Sequence, residues 1–155
     1  MEPGKLHFLT DTVPELLSQL PAEAKGQWGV MQGQQMVEHL IQSVLVAAGK
    51  IPLQLFTPAD RLSKMREFLL SGSPFRENTK NPLLKDVPAP TRLPDMETAI
   101  SELKRAIQSF IKAYESNPDK EIMNPFFGPL NYEQQLHFLN KHATHHLKQF
   151  GLVTL

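Results

Sequence analysis

Apolar residues in this chain recur at intervals of three and four, in runs that prolines keep interrupting. No stretch sustains the period-two alternation of β-branched residues on which a sheet depends. The 13 prolines each deny a backbone donor, so they bound helices and mark connections. The chain is therefore predicted to be all-α.

Five helices follow from this pattern. The first is expected after "LTDT", with Asp11 or Thr12 as N-cap and Pro14 in the first turn, running through Leu16, Leu17 and Leu20 to the break at Pro21. A second spans about 32–48, where Met36, Val37, Leu40, Ile41, Val44 and Leu45 repeat on one face and Gly49 supplies a stop. A third covers about 58–70, with Leu62, Met65, Phe68 and Leu69 directed inward. The stretch 73–94 holds Pro74, Pro82, Pro88, Pro90 and Pro94 and reads as a long irregular connection. A fourth helix occupies about 95–114 on a stripe of Met96, Ile100, Leu103, Ile107 and Ile111. After the turn-rich "NPFFGPL", the last opens on a capping box of Asn131 and Gln134 and ends at Gly151.

With 155 residues and no internal repeat, one domain over 1–155 is expected. No apolar run approaches the length of a membrane span. The 16 basic and 16 acidic residues cancel and are scattered, so no basic stripe offers the counterion release that nucleic-acid binding draws on. The opening "MEPGKLHFLTD" lacks the charged-then-apolar pattern of an export signal, which makes the cytoplasm the expected compartment. With no cysteine, any metal site must use nitrogen and oxygen ligands.

Three of the six histidines crowd into "HATHH". At about 100° per residue, His142 and His146 share the apolar side of the last helix, His145 falls on its edge, and His137 lies with Asn140, Thr144 and Lys148 on the side expected to face solvent. Imidazoles at i, i+4 can converge on one ion. His39 sits at the border of the apolar stripe of the second helix, where packing demands no histidine, and is a candidate third ligand. One histidine beside an apolar face is more often a hydrogen-bonded core residue than a ligand; three on two core helices favour a metal. Glu38 and Glu133 point away from the trio and read as solvated or capping carboxylates. Gln149 points toward His142 and could orient a ligand, and His145 is a pocket candidate. Trp28 and Met31 read as packing at the end of the helices.

"WGVMQGQQMVEHLI" and the later "NPFFGPLNYEQQLHFLNKHATHHLKQFG" resemble the DinB-like superfamily. More narrowly they resemble a branch marked by W-G-x-M…Q-Q-M…H and an F-G-P-L…K-H-x-x-H-H-L-x-Q-F-G ending. The resemblance implies a four-helix bundle, here with a short extra N-terminal helix and a long proline-rich connection, carrying a divalent metal on three histidines. By motif these are His39, His142 and His146, the trio that helical phase selects. That branch often has a histidine before P-x-F-G-P where this chain has Asn124, so a role for this position in ligation or acid-base chemistry is in doubt.

Three neutral imidazoles leave coordination positions open, the pattern of catalytic sites. Relatives in the superfamily include transferases and isomerases acting with low-molecular-weight thiols. The resemblance thus implies a metal-dependent enzyme of hydrolase or thiol-transferase type, using zinc, nickel, iron or manganese and a thiol-type small molecule. The alternative is a non-catalytic metal- or small-molecule-binding bundle, with room for a homodimer.

Overall fold

The apolar spacing that begins at Leu6 continues through Leu9, Val13 and Leu17, and the backbone is helical along all of it. A computed structural model, which describes residues 3–77, 81–83 and 87–154, begins with α1 (Pro3–His7), a π-helical turn (Phe8–Thr12) and α2 (Val13–Leu17), joined end to end. Then come α3 (Gly33–Ala47), α4 (Ala59–Leu70), α5 (Met96–Tyr114), strands β1 (Ile122–Asn124) and β2 (Gly128–Leu130), and α6 (Tyr132–Gln149). No helix among the described residues is long and apolar enough to cross a membrane.

The N-terminal helix starts well before Asp11, so Pro14 lies inside a helical run and not at its start. The π-turn accounts for this. The Val13 amide bonds to the Phe8 carbonyl, five residues back, and such a widened turn accommodates a ring that would collide with the carbonyl four residues back in a regular helix. Leu9, Val13 and Leu17 are buried in the main core, and the segment packs on both α5 and α6. It is a core element, not an appendage.

The main core joins these residues to Met36, Val37, Leu40, Ile41 and Val44 of α3, to Ile100, Leu103, Ile107 and Phe110 of α5, and to Leu136, Leu139, Ala143 and Leu147 of α6. Helix α4 stands apart. Of its residues only Leu69 is buried, in a separate cluster with Phe127 and Leu130; Met65 and Phe68 are half-buried against that cluster, and Leu62 is also half-buried.

The expected capping box at Asn131 forms, the N-cap expected at Asp11 or Thr12 does not, and Asp95 caps α5. Asp95 accepts from the Thr98 amide at 2.8 Å and Asn131 from the Gln134 amide at 3.0 Å. The segment "NPFFGPL" departs from the all-helical expectation: β1 and β2 pair antiparallel, Ile122 opposite Leu130 and Asn124 opposite Gly128. Buried Asn124 accepts from the amides of Phe126 and Phe127, so its side chain holds the tight turn. Gly128 has φ of +82° and a Leu62 methyl 3.2 Å from where a Cβ would stand, so a side chain there is strained twice over. The described parts of 73–94 contain neither helix nor strand; residues 78–80 and 84–86 lie outside the described residues.

Candidate metal centre

Helices α3 and α6 pack through the core with His39 and His142 on their facing sides. His142 Nε2 lies 3.1 Å from His39 Nε2 and 3.1 Å from His146 Nε2, and one nitrogen from each ring falls within 4.8 Å of the others. The i, i+4 spacing on α6 puts the two rings one turn apart and edge to face, with centroids 4.7 Å apart, and the ring of Phe138, a turn earlier, lies nearly parallel to His142 with centroids 5.5 Å apart. A ladder of Phe138, His142 and His146 therefore faces His39 across the core.

Burial keeps these imidazoles neutral. His39 is lowered from 6.5 to about 4, first by desolvation and then by nearby His145. His146 is lowered to about 3 by desolvation and then by His39, against the opposing bond to Gln149. His142 is driven well below 6.5 by desolvation, then by His146, His39 and His145. Neutral imidazole is the form that ligates.

The donor set fits a cation. His146 Nδ1 lies 2.7 Å from Gln149 Oε1. An amide oxygen only accepts, so this nitrogen carries the ring proton and His146 Nε2 turns a bare lone pair toward the other rings. A single proton on His142 Nε2 would have to serve two partners at 3.1 Å at once. A positive ion among the three nitrogens satisfies all of them, and the residues present suit zinc, nickel, iron(II) or manganese.

Around the trio the structure redraws several expectations. Gln149 bonds to His146, not to His142, and holds that ring. His145 is half-buried at the rim, its ring 5.6 Å from Trp28 and 5.0 Å from His146, with its pKa lowered mainly by burial. Trp28 is therefore more than end packing, while Met31 packs on the main core.

His137 does not face solvent. Lys5 Nζ lies 3.0 Å from its Nδ1, and Asn140 donates to the Lys5 carbonyl, because α1 covers this side of α6. Helical phase separates apolar from polar faces but does not say that a polar face is wet. Glu38 is likewise not solvated. It is 7% exposed and accepts from Gln34 Nε2 and from the amides of Arg92 and Leu93, which ties the end of the proline-rich connection to α3. Glu133 is exposed.

One neighbour had no helical signature to reveal it. Phe75, in the proline-rich connection, lies edge-on to His142 and His145 with centroids 6.3 and 6.1 Å away, and also meets Phe68, Phe127 and Phe138. It lies against His142, on the α4 side of the trio. Lys141 anchors that corner by donating to the carbonyls of Phe68, Leu69 and Ser71 at the end of α4. A cavity of about 10 Å³ touches His142 and is otherwise lined by Ser43 and apolar side chains.

Comparison with known proteins follows the same lines. The family model described as DinB superfamily matches residues 10–150, a span that includes all three histidines. No curated protein matches the chain.

Proposed function

The chain belongs to the DinB superfamily, and from that premise we propose that His39, His142 and His146 hold a divalent transition metal in an enzyme of hydrolase or thiol-transferase type. The convergence of three neutral Nε2 atoms, one of them with a bare lone pair set by Gln149, carries this reading. In the same reading the chain is a single DinB-like domain, and the N-terminal helical segment, α3, α5 and α6 make its four-helix bundle.

A divalent ion on three imidazoles supplies Lewis acidity, which acidifies water and thiols and polarises carbonyl oxygens. The chain's own residues do the rest. Phe138 and Gln149 hold two of the rings in place, and burial holds all three neutral. Phe75 and Trp28 limit the approach of bulk water, and half-buried His145 lies where an incoming small molecule would pass. A non-catalytic metal-binding module is the second reading, favoured by the aromatic ring of Phe75 lying edge-on to His142.

Metal analysis of untagged protein, loaded in turn with zinc, nickel, manganese and iron(II), tests the site. One ion per chain is expected in the wild type and none in His39→Ala or His142→Ala. Assays for ester hydrolysis and for transfer of a low-molecular-weight thiol, scored against His142→Ala, then separate enzyme from module. A wild type that binds no divalent ion overturns the metal reading; a loaded protein inert in both assays favours the module.

A further inference from the structure

The segment "KGQWGVMQ", residues 25–32, precedes α3 and closes on itself through a bridge between Lys25 and Gln32. It grips one residue of α6 from two sides. The Gln27 amide donates to the Gln149 carbonyl at 2.7 Å, and Gln149 Nε2 donates to the Trp28 carbonyl at 2.8 Å.

Two glycines make this approach feasible. Gly29 has φ of +80°, and a Cβ there would stand 2.6 Å from Gln149 Nε2. A Cβ on Gly26 would meet the Trp28 carbonyl at 2.8 Å and Gln149 Cγ at 3.0 Å. Contacts under 3 Å force something to move, and here the nearest atoms belong to the hydrogen bond itself.

The chemistry of the contact is directional. A carbonyl only accepts, so Trp28 fixes the NH2 end of the Gln149 amide outward and its oxygen inward, against His146 Nδ1. That oxygen in turn fixes the ring proton on Nδ1 and leaves Nε2 free to ligate. His142 has no such support: its Nδ1 is buried without a hydrogen-bond partner among the described residues. Unlike His142, His146 thus has its tautomer set by a neighbouring side chain.

We propose that loop 25–32 is an outer shell of the metal centre, in which the Trp28 carbonyl and the space left by Gly29 set the Gln149 amide, and through it the tautomer of His146. The inference rests on the metal reading given above. Trp28, Gly29 and Gln149 are positioning residues that act through His146. Partners of this kind typically change metal affinity by roughly 10- to 100-fold when removed.

The test compares wild type with Gln149→Leu, Gln149→Glu and Gly29→Ala. Histidine side-chain nitrogen NMR on the metal-free proteins reads the tautomer, and zinc titration by calorimetry reads the affinity. Fluorescence of Trp28, the one tryptophan in the chain, reports whether the loop is in place. Wild-type His146 is expected as the Nδ1–H tautomer. Gln149→Leu should lose that preference and bind zinc about 10- to 100-fold more weakly. Gln149→Glu, which still accepts from Nδ1 but cannot donate to the Trp28 carbonyl, should keep the tautomer and lose only part of the affinity, and Gly29→Ala should fall between wild type and Leu.

An Nε2–H tautomer in the wild type overturns the proposal, as does wild-type affinity in Gln149→Leu or an equal loss in the Leu and Glu variants. If Gln149→Leu does not fold, the wild-type tautomer and the Gly29→Ala titration decide. Zinc binding to none of the proteins would overturn the metal reading itself, a failure told apart because the tautomer is read without metal.

Discussion

Histidines on one helix have different fates because each ring meets a different neighbour. His142 meets His39, His146 and the parallel face of Phe138, whereas His137 meets Lys5 of α1. Substituting them should separate the two roles. His142→Ala is expected to abolish metal binding, since it removes the ring that lies 3.1 Å from both others. His137→Ala is expected to leave one ion per chain but to lower stability by about 1 kcal/mol, the usual net worth of a hydrogen bond. Metal analysis and urea denaturation of both variants check this, and loss of metal from His137→Ala would mean that the Lys5 contact is needed to hold α6 in register.

Among elements, α3 carries the candidate ligand His39 on one turn and a structural carboxylate, Glu38, beside it. Glu38 accepts from the amides of Arg92 and Leu93 at 2.8 and 3.3 Å and from Gln34 at 3.1 Å, so it fastens the far end of the proline-rich connection to the helix that presents His39. Glu38→Ala should cost about 1–3 kcal/mol, because it strands buried donors. Amide exchange at 92 and 93 should rise with it, whereas exchange in the middle of α5 should follow only the global loss. Unchanged exchange at 92 and 93 would show that the connection is held elsewhere. The N-terminal helix teaches the complementary lesson: a π-turn lets a proline sit within an element that its sequence signals would start afresh.

Acid sensitivity belongs to the whole molecule, because it compares folded with unfolded chain. His39 and His146 are neutral in the folded protein down to about 4 and about 3, while unfolded histidine takes up its proton near pH 6.5. Their folded pKa values are depressed, so stability is complete above about pH 6.5 and is lost progressively on acidification toward pH 4. His39 alone accounts for on the order of 3 kcal/mol of that loss. Thermal melts of the metal-free protein between pH 7.5 and 4 should show a steep fall over this window, and a flat profile would contradict the burial. A bound ion adds about 2.7 kcal/mol at 100 times its dissociation constant, roughly 5–10 °C in melting temperature for a chain of this size. That increment should appear at pH 7.5, shrink at pH 5 as protons compete for the rings, and be absent from His142→Ala.

Local chemistry wrote much of this molecule into its sequence. Helices α3 to α6 were legible from apolar spacing, and the start of α6 also from the capping box at Asn131. The inward side of α6, with His142, His146 and Gln149 on it, followed from a fixed rotation per residue, and His39 stood out as a polar residue at the edge of an apolar stripe. These features depend on neighbours a few positions apart, which a sequence displays directly. What required the tertiary structure were contacts between segments with no shared periodicity: Phe75 against His142, the Trp28 carbonyl on Gln149, Lys5 on His137, and Glu38 on the backbone of 92 and 93. Backbone carbonyls and amides are the same in every residue, so no side-chain pattern can announce which of them a distant group will find. The fold alone decides that pairing, since a buried polar group must be satisfied by whatever the packing brings within reach.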